Sequence, residues 1–284
     1  MKLVLLGVGI IVVIIVVVSA GKKGKTWEST SEASETSESS GTLESLETSE
    51  VSGVSGMEAE NDTLTKEESE ETSEAVREVE QIGLGQVVAL TFDDGPSEYT
   101  GKLLDILKQK EVPATFFVLG KNANIYPDLV KREATEGHEV ESHTMSHQNL
   151  AVLNEVDVRA EISGAEQTIC AILNKINCIK YLRPPYGEIS GTVRNVVGKP
   201  MIGWSIDTLD WQSKDPQMIQ DRTLGVIRGG AIILLHDIYE TSVEGAERII
   251  DELKAAGFTF VTVDGMAKKY GANLATGEYY RSFD

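Results

Sequence analysis

Two histidines four residues apart, His143 and His147, and two adjacent aspartates, Asp93 and Asp94, are the residues of this chain best suited to chemistry. Histidines at that spacing reach a common point from one turn of chain, and a carboxylate from elsewhere completes a three-ligand set, for which Asp94 is the candidate. Two imidazoles and one carboxylate suit Zn²⁺ and leave a position open for water, as catalytic rather than structural sites do. Alone, the histidine pair is weak evidence, and Asp93-Asp94-Gly95-Pro96 is an ordinary turn composition. Together they describe a metal centre with a spare carboxylate. Adjacent aspartates in a turn point in different directions, so Asp93 stays free to act as general base for a metal-activated water.

Three further stretches supply the remaining parts. His236 ends the apolar run Ala231–Leu235; it is either a general acid or a hydrogen-bonded core histidine. Asp210 would keep it protonated by charge pairing, and Arg183 would do the reverse for Asp93, keeping it ionised. The Pro184-Pro185-Tyr186-Gly187 turn stiffens its loop and presents a backbone N–H to a developing oxyanion. Trp211 and Leu234 offer an apolar wall of methyl size, or else are ordinary core.

Scattered motifs act together only if the fold gathers their elements. Short apolar runs at Val87–Phe92, Ala114–Leu119, Glu139–Ser142, Ile179–Leu182, Met201–Ile206, Ala231–Leu235 and Phe258–Val263 read as strands. Between them lie amphipathic stretches at Gly101–Lys110, Pro127–Glu136, Val156–Asn174, Pro216–Ile227 and Val243–Ala256. Such alternation implies parallel strands in an α/β domain, and the strand number favours a barrel or partial barrel over an open sheet. Asp93, His143, Arg183, Asp207 and His236 each directly follow a strand candidate. In a βα barrel those ends share one face, where active sites form.

Taken in order, Thr91–Pro96, His143–His147, Arg183–Gly187, Asp207–Trp211 and Leu234–Asp237 resemble the signature of the polysaccharide deacetylases, carbohydrate esterase family four. The resemblance spans about residues 86 to 265. It implies a distorted (β/α)₇ barrel and metal-dependent removal of acetyl groups from sugar polymers, with zinc the usual ion and Co²⁺ or another divalent ion an alternative. It casts Asp93 as catalytic base, His236 as catalytic acid, and Asp94, His143 and His147 as metal ligands. Arg183 would orient Asp93, Asp210 would tune His236, Tyr186 would supply the oxyanion N–H, and Trp211 with Leu234 would line the acetate-methyl pocket. Glu141 departs from the family pattern, where a small residue is usual, and is expected to alter the rim of the cleft but not the metal triad. The motifs specify acetyl hydrolysis and not the sugar: N-acetylglucosamine residues of peptidoglycan are the expected substrate, with chitooligosaccharides and acetylated xylan as alternatives. An inactive carbohydrate-binding wall module would leave a gap in the catalytic set, and none is visible.

Composition divides the chain into residues 1–21, 22–82 and 83–284. Leu3–Val18 is apolar and flanked by lysines, so it reads as a signal anchor or a cleaved signal peptide. Residues 26–82 hold 17 acidic and 2 basic residues, −15 of the formal net charge of −19. A Ser/Thr/Glu-rich stretch of this kind buries too little apolar surface to offset its ordering entropy, and is expected to be a disordered tether. An extracytoplasmic, membrane-anchored enzyme is the expectation. The lysines after the apolar run argue for the opposite orientation. From residue 83 onward 28 acidic residues face 20 basic ones, which argues against a nucleic-acid surface. Cys170 and Cys178 are either a disulfide clip or two buried thiols, and residues 266–284 carry no assignable pattern.

Overall fold

The computed structural model describes residues 86–283. The apolar segment and acidic tether expected within residues 1–82 lie outside them. Among the described residues no helix is long and apolar enough to cross a membrane.

The elements run β1 (Val87–Asp93), α1 (Thr100–Gln109), β2 (Thr115–Val118), α2 (Gly120–Ile125), α3 (Pro127–Thr135), β3 (Glu139–Ser142), α4 (Glu155–Ile172), α5 (Gly191–Val196), β4 (Met201–Ile202), β5 (Ile206–Asp207), α6 (Asp210–Ser213), α7 (Pro216–Leu224), β6 (Ile232–His236), α8 (Glu240–Ala255), β7 (Thr259–Val261), α9 (Val263–Lys269) and β8 (Tyr279–Tyr280). Local sequence sets several helix starts: the side chains of Asn154, Ser190, Asp215 and Thr262 accept backbone N–H groups at the heads of α4, α5, α7 and α9. Thr262 thereby turns Val263, expected to end a strand, into the first residue of a helix.

The strands pair in parallel in the order β3-β2-β1-β6-β5, with β7 against the start of β1 and β4-β8 as a separate pair. Side chains alternate faces along a strand. Val88, Leu90 and Phe92 therefore share a core with Leu103, Leu104 and Leu107 of α1 and Ile249, Ile250 and Leu253 of α8. The other face carries Val87 and Ala89, which pack with Phe117, Ile232, Val263 and Met266. Towards the C-terminal ends of β1 and β6 that same face becomes polar, ending in Asp93 and His236.

The parallel α/β arrangement is as expected, but the distorted (β/α)₇ barrel is not closed: the hydrogen-bonded ladder stays open. Ile179–Leu182 contributes only Leu182, which bridges Ser142 and Met201. The amides of Lys180 and Tyr181 instead both donate to Oε2 of Glu141, each at 2.8 Å. Glu141, expected at the rim of the cleft, is thus 1% exposed and replaces a stretch of strand pairing with its own carboxylate. The run Met201–Ile206 breaks at Gly203–Ser205, where Arg183 Nε donates to the Ile202 carbonyl at 3.2 Å and Nη2 to that of Gly203 at 2.8 Å. A Cβ at Gly203 would lie 2.2 Å from the Tyr279 hydroxyl, so the close approach of β8 requires glycine there. The unassigned C-terminal stretch supplies β8 and Phe283, which joins the inner core. Cys170, in the last turn of α4, forms a disulfide with Cys178 beyond the helix end.

Candidate active site

Asp93 and His236 are register partners on the neighbouring parallel strands β1 and β6, so their side chains stand side by side on one face. Asp93 is almost fully buried, and the wholly buried Arg183 reaches it with Nη1 at 2.6 Å while also donating to Thr91 Oγ1 at 2.8 Å. Arg183 lies over the Phe117 ring, 3.9 Å from its centre, which fixes the guanidinium plane. Burial pushes the Asp93 carboxyl above its ordinary range, outweighing the pull of Arg183 towards ionisation. The expected pairing exists, but its net result is a carboxylate with raised proton affinity, as a general base requires.

In the turn after β1, Asp94 adopts φ of +73° and Gly95-Pro96 is cis. The turn is held from outside: Asn122 Nδ2 donates to the Asp94 carbonyl at 2.7 Å, and Leu119 N to that of Gly95 at 3.0 Å. Asp237 closes it from below, since a Cβ at Gly95 would lie 2.2 Å from either Asp237 carboxylate oxygen. Thr100 donates a hydroxyl hydrogen bond to Asp237, and burial raises this carboxyl to about 7.

Asp94, His143 and His147 place one ligand atom each within 4.8 Å of the others. Asp94 Oδ1 is 3.5 Å from His143 Nε2 and 3.3 Å from His147 Nε2. The arrangement fits a cation on two grounds. Oδ1 of Asp94 is buried without a hydrogen-bond partner, an uncompensated cost unless something else occupies the space. His143 Nδ1 lies 2.7 Å from the Arg183 carbonyl oxygen; a carbonyl only accepts, so Nδ1 carries the proton and the Nε2 lone pair faces Asp94. Burial depresses His143 to about 3, so its imidazole is neutral and free to ligate.

His236 is held by Asp210, which accepts from its backbone N at 2.7 Å and from Nδ1 at 2.8 Å, while Ser242 Oγ donates to the same carboxylate at 2.6 Å. Burial opposes a charge on His236, but the Asp210 hydrogen bond and negative charge together raise it to about 9. Both ring nitrogens are then protonated at neutral pH, with Nδ1–H committed to Asp210.

These groups line a cleft of about 370 Å³, and eight of the ten residues singled out in the sequence face it. Arg183 and Asp210 stand behind the wall, fully buried, and act on Asp93 and His236. Leu234 is buried in the floor, while Trp211 and Tyr186 are half exposed or more at the mouth. Tyr186 has φ of +62° and stacks edge-on against His147, with ring centres 4.7 Å apart. Three further lining residues, Trp204, Asp207 and Tyr239, escaped the sequence reading as site residues. Asp207 lay within a quoted motif and Tyr239 three residues past His236; Trp204 looked like one more apolar position in a strand.

Similarity to known proteins points to one family. The polysaccharide deacetylase family model matches residues 80–200. A peptidoglycan-N-acetylglucosamine deacetylase of Bacillus cereus is 43% identical over 192 residues, covering 63% of this chain and 67% of that protein. The peptidoglycan-N-acetylglucosamine deacetylase PgdA of Listeria monocytogenes is 37% identical over 211 residues, covering 74% of this chain; the chain spans only 44% of that relative's length. Among solved structures, the T48 deacetylase with substrate superposes with a TM-score of 0.66 at 39% identity, covering 69% of this chain and 96% of the other. With a strand-end triad of one carboxylate and two imidazoles, a buried acid beside it and a charged histidine opposite, the chain belongs to the polysaccharide deacetylase family.

Proposed function

We propose that this chain hydrolyses the N-acetyl groups of N-acetylglucosamine residues in peptidoglycan, releasing acetate and leaving glucosamine in the glycan. The observation that carries the chemistry is the in-register pair Asp93 and His236 flanking the Asp94-His143-His147 cluster. Its two imidazoles and one carboxylate suit Zn²⁺ first, with Co²⁺ as an alternative. A divalent ion held by these three residues supplies Lewis acidity towards the acyl oxygen and lowers the pKa of a water. Asp93 takes the proton of the attacking water, its raised proton affinity matching that task. As the carbonyl carbon becomes tetrahedral, the Tyr186 amide donates to the oxygen on which charge develops. His236, kept cationic by Asp210, gives its Nε2 proton to the departing nitrogen as the C–N bond breaks. The acetyl methyl packs against Leu234 and Trp211.

The peptidoglycan assignment draws support from the names of the relatives. The apolar Leu3–Val18 segment and the acidic stretch after it support an anchored, extracytoplasmic enzyme with its substrate layer within reach. Acetate release should be measured with the zinc- or cobalt-loaded chain on N-acetylglucosamine oligomers, purified peptidoglycan and acetylated xylan, beside Asp93→Asn. Release from the aminosugar polymers that vanishes in the variant is expected; release from xylan alone would make the enzyme an esterase. Deleting residues 26–82 should spare activity on soluble oligomers and reduce deacetylation of the wall in cells. Unchanged wall deacetylation would count against the tether.

A further inference from the structure

The loop carrying both histidines adopts a backbone that does not hold itself. Thr144 and His147 have φ of +73° and +67°, a region disfavoured by about 1–2 kcal/mol for each side-chain-bearing residue. Inside the loop the Thr144 hydroxyl accepts the His147 amide at 3.2 Å. Fixation to the rest of the domain comes from the head of α2, where Gly120 N and Lys121 N donate to the Thr144 and Met145 carbonyls at 3.0 and 2.9 Å, and, beyond Met145, from Glu161, 8% exposed in α4. Its Oε2 accepts Ser146 N at 2.8 Å, and its Oε1 accepts Ser146 Oγ at 2.6 Å and Gln148 Nε2 at 3.2 Å. One carboxylate therefore grips the residues on both sides of His147. The loop also seats Met145 against α2 and α4: a Cβ at Gly120 would lie 2.4 Å from its sulfur, and one at Gly164 3.6 Å from its Cγ.

We propose that Glu161 is a positioning residue for the metal centre, orienting His147 towards Asp94 through its grip on Ser146 and Gln148. This rests on the reading of Asp94, His143 and His147 as ligands. The grip needs reach and two hydrogen-bonding positions rather than charge. A glutamine keeps the length, accepts the Ser146 amide with its oxygen, and donates from Nε2 to the Ser146 hydroxyl and, once the Gln148 amide turns over, to the Gln148 side-chain oxygen, whereas an aspartate keeps the charge and is one methylene too short.

The test is Zn²⁺ affinity and the Co²⁺ absorption spectrum of the full-length chain, with apo melting recorded to confirm folding. Glu161→Ala and Glu161→Asp are expected to weaken Zn²⁺ binding about 10- to 100-fold, the range for lost support of a metal ligand. Both should alter the Co²⁺ spectrum, while Glu161→Gln stays near wild type in both readouts. The opposite ranking, with aspartate tight and glutamine weak, would make Glu161 a remote charge and overturn the proposal; equal affinity in all variants would also overturn it. If Glu161→Ala does not fold, Ser146→Ala and Gln148→Ala remove the two side-chain contacts from the loop side, leaving only the Ser146 amide on Glu161, and should weaken Zn²⁺ binding; unchanged affinity in both would overturn the proposal. A wild-type chain that binds neither ion would remove the metal centre itself, and this role with it.

Discussion

Burial alone would leave His236 neutral at pH 7; the Asp210 carboxylate reverses that and lifts it to about 9. Asp93 is shifted upward too, but by burial, against the pull of Arg183. The proposed hydrolysis needs Asp93 deprotonated and His236 protonated. Activity should therefore rise as pH climbs through the raised pKa of Asp93 and fall as it passes about 9. Asp210→Asn removes the charge that sustains the imidazolium, so the alkaline limb of the kcat/KM profile should move down towards the ordinary histidine value of about 6.5. The acid limb should stay in place. An alkaline limb unmoved in this variant would assign it to another group. Asp210 was readable as a partner because it follows β5, the strand beside the one bearing His236; Arg183 follows a segment that does not pair with β1 and reaches Asp93 by the length of its side chain.

At the level of elements, one side chain does what a strand was expected to do. Glu141 accepts the amides of Lys180 and Tyr181 where Ile179–Leu182 fails to pair. In Glu141→Ala both amides lose their partner at a cost of about 1–3 kcal/mol each. Urea unfolding should show a loss of at least that of one amide, with Zn²⁺ affinity kept. An unchanged midpoint would mean the segment finds other partners. The disulfide ties Cys170 in α4 to Cys178, 8 residues on. Closing so short a loop restricts the unfolded chain by about 2.5 kcal/mol. Replacing both cysteines with serine should lower stability by up to about that amount while kcat holds, because the link lies away from the catalytic groups. A comparable loss of kcat would tie the clip to the site.

Across the whole domain, the ring of strands is completed by contacts other than a continuous ladder. Arg183 occupies the carbonyls of Ile202 and Gly203, and β8 flanks β4. The C-terminal segment is thus part of the core, with Phe283 6% exposed. A chain ending at residue 276 should lose at least about 2 kcal/mol from the burial of Phe283 alone, and more from β8. Chemical denaturation of the truncated chain checks this; wild-type stability would show the segment to be dispensable.

The sequence by itself determined the parallel α/β class, the positions of most elements and the ten residues of the candidate site. It did so because apolar periodicity marks the strands and because each reactive group closely follows one. The openness of the ladder, the burial of Glu141, the C-terminal strand β8 and the lining residues Trp204, Asp207 and Tyr239 were decided by the tertiary structure. Whether an amide pairs with a backbone carbonyl or with a carboxylate 40 residues away, and whether a tryptophan faces a core or a cleft, depends on what packs opposite. No local pattern in the chain encodes that. Candidate metal ligands are legible at short range because their chemistry constrains residue type and spacing; Glu161, the acid proposed to orient one of them, became visible only once α4 lay against the histidine loop.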